Sequence, residues 1–126
     1  SNQKAYEEAF DALFDTFEIL ENRLSNQRYL CGNKITEADW RLFPTLFRFD
    51  TVYHYAFKCN KKHLYEYSNL WGYTRDLYQQ TGVSDWCYLE EAKIGYWSGS
   101  KINPLGTIPK GPTLNFYENH DRDRFQ

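Results

Sequence analysis

The chain has 126 residues, of which 41% are hydrophobic and 25% charged, and its net charge is −2. This length fits one compact domain, and the charge provides no basic surface for phosphates, so we expect no nucleic-acid partner. No stretch approaches the roughly 20 apolar residues of a membrane span, so we also expect no membrane partner and a cytoplasmic location.

The cysteine pattern argues against disulfide bonds and against a structural zinc site. Cys31, Cys59 and Cys87 are odd in number, far apart and outside any C-x-x-C pair, which is not typical of a disulfide framework or a structural zinc site. His63 follows Cys59 by four residues, but two further clustered ligands are missing, so we predict no metal site. The chain contains no Met, even at position 1, which suggests a piece of a longer protein.

Two helices are predicted in the first half of the chain. Along residues 5–24, apolar side chains recur at steps of four and three, which predicts an amphipathic helix. After a turn at residues 26–34, Thr36 and Asp39 match a capping box, in which each side chain accepts a hydrogen bond from the other residue's backbone N–H. A second helix is therefore expected over residues 37–57, with a kink near Trp40 caused by Pro44.

The second half of the chain is less regular. A third helix is predicted over residues 68–80, with Gly82 as its left-handed C-cap, and a shorter helical segment over residues 84–97. Residues 98–126 contain three of the four prolines, which predicts a long irregular tail packed on the helices. No alternating strand pattern occurs. The sequence therefore predicts a single all-α domain over residues 1–126.

Several strings of residues then carry a family resemblance. The sequences RYLCG at residues 28–32 and ITEAD at 35–39 resemble the capping-box segment of glutathione transferase C-terminal domains. Five further strings point to one class within that family: RLFPTLFRFDTVY at 41–53, FKCN at 57–60, NLWGYTRDLYQ at 69–79, INPLGTIPKGP at 102–112 and HDRDRF at 120–125. Together they resemble the xi-class glutathione transferases, also called glutathionyl-hydroquinone reductases, over about residues 26–125.

The resemblance implies a helical bundle of the glutathione transferase C-terminal type within a two-domain, homodimeric enzyme. In that family a thioredoxin-like N-terminal domain holds the cosubstrate glutathione and a nucleophilic cysteine in a Cys-Pro context. That cysteine attacks the thioether sulfur of a glutathionyl-hydroquinone, releases the hydroquinone, and is regenerated by a second glutathione. No Cys-Pro occurs here. We therefore expect the N-terminal domain to be absent, no catalytic residue or bound cofactor in this chain, and no turnover by the chain alone.

One substrate-binding position carries over from the family. Its members have a His-Tyr-aromatic string late in the domain, whose tyrosine contacts the hydroquinone, and Gly95-Tyr96-Trp97 falls on that string. The Tyr96 phenol would then hydrogen-bond a hydroquinone hydroxyl and assist its proton transfer. The other reading, that Tyr96 only packs against the tail, stays open.

Departures from the family pattern leave the function open as well. Glu91 and Gly95 stand where the family usually has two histidines, so the pocket rim is altered. The alternative function is a non-catalytic protein-interaction module of glutathione transferase type, and a truncated product without function is a third reading. Charged residues on the predicted helices are expected to form structural ion pairs: Arg41, Arg48, Asp50, Arg75 and Asp76.

Overall fold

The computed structural model describes residues 2–50, 62–87 and 114–125 of the chain. They form three α-helices: α1 (Asn2–Leu24), α2 (Glu37–Arg48) and α3 (Ser68–Tyr78). Short 3-10 turns lie at Leu64–Glu66, Ser84–Trp86 and Arg122–Arg124. The described ranges contain no strand, only an isolated bridge between Tyr29 and Gly32. The prediction of an all-α bundle is confirmed. Of the predicted irregular tail, residues 114–125 are described, and their one helical element is the 3-10 turn Arg122–Arg124.

Helix α1 presents an aromatic face to the core. Phe14, Phe17 and Leu24 are at most 2% exposed. The helix begins three residues earlier than predicted. The ring of Phe17 packs on Phe49 and Tyr67, with centroids 4.9 and 5.7 Å away. Burial of rings of this size supplies much of the free energy that holds the helices together.

Helix α2 begins at Glu37, as predicted, and runs without a break across Trp40 and Pro44. Its regular α-helical part ends at Arg48, and the next two residues have the wider π-helical winding. The rest of the predicted helix, residues 51–57, is not among those described. Three residues of α2 join the apolar core: Phe43, Leu46 and Phe47.

Helix α3 ends at Tyr78, so the predicted end at residue 80 is wrong. The C-cap is Gln79, in right-handed conformation, and its side chain donates to the carbonyls of Phe116 and Glu118 at 2.9 and 2.8 Å. Gly82 has a left-handed φ of 84° but lies in the following turn. The last carbonyls of α3 are instead bonded by the backbone N–H of Gln79, which donates to Arg75 at 2.9 Å, and by that of Gln80, which donates to Leu77 at 3.2 Å. The Gln79 side chain ties the tail to this end of the helix.

The predicted helical segment over residues 84–97 is wrong where it can be compared. Only Ser84–Trp86 forms a 3-10 turn, and Cys87 is already extended, with φ −105° and ψ 108°. Further along, the tail residue Phe116 is 5% exposed and packs on Phe47, Trp71 and Tyr78, with ring centroids 4.8, 5.2 and 5.2 Å away. No helix within the described ranges is long and apolar enough to cross a membrane.

Candidate functional site

Tyr96, the predicted substrate-binding residue, belongs to residues 88–113, which are not described. The same applies to the altered positions Glu91 and Gly95, and to Cys59 in residues 51–61. Six polar side chains of the described residues converge where the α1–α2 connection, α3 and residues 120–125 meet. We name this group the polar junction, and its members are Arg28, Asp39, Asn69, Tyr73, Asp76 and Arg122.

Asp39 is the centre of the first part of the polar junction. It forms a capping box with Thr36, the N-cap of α2, whose backbone N–H donates to Asp39 Oδ2 at 2.8 Å. Asp39 Oδ1 accepts from the N–H of Leu30 at 3.0 Å and from the Tyr73 hydroxyl at 2.7 Å. Burial and the Asp39 hydrogen bond raise the pKa of Tyr73, so its phenol stays protonated. One fully buried carboxylate thus ties α2 to α3 and to the preceding turn.

The second part of the polar junction is a two-pronged ion pair. Arg28 Nε and Nη2 donate to Asp76 Oδ2 and Oδ1 at 2.9 and 3.0 Å, and the Asp76 side chain is only 1% exposed. This bidentate geometry is the strongest form of arginine–carboxylate contact, and it raises the pKa of Arg28. His120 Nε2 lies 3.6 Å from Asp76 Oδ1, and Asp123 lies 3.2 Å from Arg28. The C-terminal turn therefore closes over this pair.

Arg122 is the third part, and its side chain is fully buried. Its Nη2 donates to the backbone carbonyls of Gln27 and Arg28 at 2.8 and 2.9 Å, and its Nη1 donates to Asn69 Oδ1 at 3.1 Å. Burial lowers the pKa of Arg122 to about 10. Nothing in the local sequence around Arg122 predicts this burial, because its acceptors lie 53 to 95 residues away.

Two further carboxylates cap helical turns from a distance. Glu21 of α1 accepts from the N–H groups of Asn69 and Leu70, at 3.0 and 2.8 Å, in the first turn of α3. A carboxylate at a helix N-terminus satisfies free N–H groups and the helix dipole. Asp50 accepts from the N–H groups of Leu64 and Tyr65, but burial outweighs these bonds and raises its pKa. Both acids act as caps.

The predicted structural ion pairs form only in part. Asp76 pairs with Arg28, and Arg41 pairs with Glu37 on the exposed face of α2 at 2.7 Å. Arg75 donates instead to the carbonyl of Asn119 at 2.6 Å. Neither it nor Arg48 has an ion-pair partner among the described residues. The sequence identified the charged positions correctly but gave the wrong partner type for Arg75.

No activated nucleophile is found among the described residues. Cys31 is exposed in the turn closed by Tyr29 and Gly32. Cys87 is partly buried, and burial raises the pKa of its thiol more than the nearby Arg48 lowers it. A thiol is nucleophilic as the thiolate, so a raised pKa works against reactivity. Within the same ranges, no three His, Cys, Asp or Glu side chains are grouped to hold a metal ion.

The residues that flank the undescribed segment 88–113 meet at one corner of the bundle. Tyr117, after the segment, packs edge-on against Tyr78, with ring centroids 5.0 Å apart. Hydrogen bonds from Ser84 and from Tyr78 lower the pKa of the Tyr117 phenol. Ser84 and Tyr117, which stand on either side of that segment in the sequence, therefore both lie near Tyr78 at the C-terminal end of α3.

Comparison with known proteins gives a consistent assignment. Residues 3–76 match the family model described as the glutathione S-transferase C-terminal domain. The chain is 43% identical over 124 residues to the glutathionyl-hydroquinone reductase YqjG of Escherichia coli K12, covering 98% of this chain and 38% of that protein. It is 45% identical over 113 residues to the glutathionyl-hydroquinone reductase PcpF of Sphingobium chlorophenolicum, covering 89% and 36%.

The structural comparison agrees. The crystal structure of a xi-class glutathione transferase from Natrialba magadii superposes with a TM-score of 0.94 at 39% identity, covering 97% of this chain and 38% of that one. The chain thus spans well under half of the length of the relatives it matches. The family model covers residues 3–76, and the sequence identity and the fold similarity extend over nearly the whole chain. The chain belongs to the glutathione S-transferase family as a C-terminal domain similar to those of the xi class.

Proposed function

We propose that this chain is the substrate-pocket and dimerisation domain of a glutathionyl-hydroquinone reductase, which reduces glutathionyl-hydroquinones to hydroquinones with glutathione as cosubstrate. The observation that carries the proposal is the 43% identity to one such reductase over 98% of this chain. The chain covers only 38% of that relative. In this proposal, the glutathione site and the nucleophilic cysteine belong to a thioredoxin-like domain outside the present sequence, and the whole protein is a cytoplasmic homodimer.

The proposed division of labour follows from the chemistry of the described residues. Their buried carboxylates are held as caps and ion-pair partners, and burial raises the pKa of the Cys87 thiol. Such groups make a rigid wall and not a reaction centre. Tyr96 would supply the polar contact of that wall: its phenol would hydrogen-bond a hydroxyl oxygen of the hydroquinone and assist proton transfer there as the hydroquinone is released. The altered positions Glu91 and Gly95 would change the rim around it.

The first test is the coding sequence upstream of Ser1. A thioredoxin-like domain with a Cys-Pro motif supports the reductase. If the upstream sequence encodes no such domain, the reductase assignment is wrong, and the non-catalytic interaction module becomes the better explanation. This test needs no assumption about the physiological quinone.

Tyr96→Phe tests the pocket role in the two-domain protein. Removal of a catalytic proton donor typically costs on the order of 10² in rate, so kcat/KM for a glutathionyl-hydroquinone is expected to fall by about that factor. The matched control is Tyr65→Phe, which removes the hydroxyl of an exposed tyrosine outside the proposed pocket segment. Equal activity of the two variants would exclude a catalytic role for Tyr96.

The chain by itself is expected to show no turnover and only weak hydroquinone binding, because a pocket with one wall buries too little of a ligand. The measurement is thiol-dependent reduction of a glutathionyl-hydroquinone by the purified chain. Detectable reduction would mean that the chain contains its own nucleophile, contrary to the proposed division between two domains.

A further inference from the structure

The environment of Arg122 has the form of a binding site. Its guanidinium is buried against the carbonyl oxygens of Gln27 and Arg28 at 2.8 and 2.9 Å, and against Asn69 Oδ1 at 3.1 Å. These three neutral oxygens come from two separate parts of the fold. No carboxylate of the described residues lies within ion-pairing distance of Arg122, so its contacts are hydrogen bonds to oriented acceptors.

Helix α3 leaves room for this side chain. Gly72 is buried in the middle of α3, and a Cβ added there would lie 3.3 Å from Arg122 Cδ. Glycine in a helix interior costs about 1 kcal/mol relative to alanine. Gly72 therefore lowers the intrinsic stability of α3, but it leaves the space that the Arg122 side chain occupies.

The remainder of the C-terminal turn holds the guanidinium from its outer side. Arg122 and Arg124 both lie over the ring of Phe125, at 4.7 and 4.3 Å from its centroid. Arg124 Nη2 donates to the same Asn69 Oδ1 at 2.7 Å. Two guanidinium groups thus share the amide oxygen of Asn69, and both lie over the Phe125 ring.

We propose that the carbonyls of Gln27 and Arg28, with Asn69 Oδ1 above Gly72, form a guanidinium-binding site for an arginine side chain, which Arg122 of the chain itself fills. Residues 120–125 are then held on the bundle as a bound peptide would be. A planar guanidinium reaches the three oxygens at once, whereas a lysine ammonium is a point charge that does not fit this spacing. The inference does not depend on the catalytic function of the whole protein.

Chemical rescue tests the site in the full chain. Arg122→Ala is expected to lower the Tm, and methylguanidinium chloride, at tens of millimolar, to restore part of the loss. A ligand at about five times its dissociation constant raises the Tm of a domain of this size by roughly 4 °C. The same concentration of methylammonium chloride controls for charge and ionic strength. The control variant is Arg124→Ala, whose side chain is 39% exposed and whose loss leaves the guanidinium site occupied. A selective rise for Arg122→Ala supports the site; no rise, or an equal rise with methylammonium or in Arg124→Ala, overturns it.

A second measurement keeps the proposal testable if Arg122→Ala does not fold. In the unsubstituted chain, NMR should show separate Nη resonances for Arg122 and slow exchange of its Nη hydrogens, because three oxygens hold the group. Arg124 provides the internal comparison. Rapid averaging of the Arg122 Nη signals, as in a solvent-exposed arginine, would overturn the proposal.

Discussion

The apolar core and the polar junction hold the fold together by different means: the core packs all three helices, whereas the junction joins α2, α3, the α1–α2 connection and the C-terminal turn. Core side chains such as Phe14, Phe17, Leu70 and Leu77 are at most 2% exposed. They stabilise the fold through the apolar area that folding removes from water. In the polar junction, Asp39 and Arg122 are equally buried but contribute only through specific acceptors and donors.

The two regions differ in how strictly their stabilising effect depends on the positions of the atoms. Apolar burial is non-directional, so neighbouring rings can shift and still exclude water. A buried charge is stabilised only while its partners stay within hydrogen-bond distance, because desolvation is costly. The core therefore provides most of the stability, and the polar junction determines how α2, α3 and the C-terminal turn are arranged.

The largest loss is expected from the core. Phe17→Ala removes a ring that packs on Phe49 and Tyr67, and should destabilise the chain by about 4 kcal/mol. The control on the same helix is Ile19→Ala, whose side chain is 61% exposed and whose loss should cost about 0.5 kcal/mol or less. Urea unfolding followed by circular dichroism measures both. Similar costs for the two variants would mean that α1 does not bury the face described here.

The second loss comes from the polar junction. Asp39→Ala leaves the N–H groups of Leu30 and Thr36 and the hydroxyl of Tyr73 without their acceptor, which should cost about 3 kcal/mol. Asp11→Ala, on the exposed face of α1, is the control and should be nearly neutral. If urea unfolding shows a cost below about 1 kcal/mol for Asp39→Ala, the polar junction does not determine the arrangement of α2 and α3.

An intermediate effect is expected at alkaline pH. Burial raises the pKa of Tyr29 and of Tyr67 from 10.0 to about 12. The folded chain therefore keeps these protons while the unfolded chain releases them, so stability falls as the pH rises from about 10 to about 12. Each tyrosine contributes on the order of 2 kcal/mol to that fall.

Tyr67→Phe isolates one of these contributions. Its unfolding free energy should decline less steeply over this pH range than that of the unsubstituted chain, as measured by urea titrations at each pH. Tyr65→Phe, which alters a 43% exposed neighbour, is the control. An unchanged slope in Tyr67→Phe would show that its hydroxyl titrates alike in the folded and unfolded chains.

The smallest effect is expected where a charge pair lies in water. Glu37 and Arg41 are 2.7 Å apart, but their side chains are 79% and 78% exposed. Arg41→Ala should change the unfolding free energy by less than about 0.5 kcal/mol. The matched buried pair is Arg28–Asp76, for which Arg28→Ala should cost several times more. Equal costs, measured by urea unfolding, would remove the distinction between exposed and buried ion pairs in this chain.

Much of the fold could be predicted from the sequence because its signals are local. The 3.6-residue periodicity located α1, and the Thr36–Asp39 pattern located the start of α2, since both depend on residues within one or two turns. Family strings such as NLWGYTRDLYQ then indicated the bundle type. Helix ends were less accurate: α3 ends at Tyr78, two residues before the predicted end. The bonds from Gln79 to the tail at this end are contacts that no local pattern encodes.

For the candidate site, too, some features follow from the sequence and others only from the folded structure. The sequence by itself determined the family and the starts of α2 and α3. It also proposed the substrate residue Tyr96, which stays a prediction. Only the tertiary structure decided that Arg28 pairs with Asp76, that Glu21 caps α3 and that Arg122 is buried over Gly72. Those partners are about 50 or more residues apart, and packing of the helices brings them together. A charged residue has the same appearance in a sequence whether it faces water or an oriented acceptor, so its partner is known only once the chain has folded.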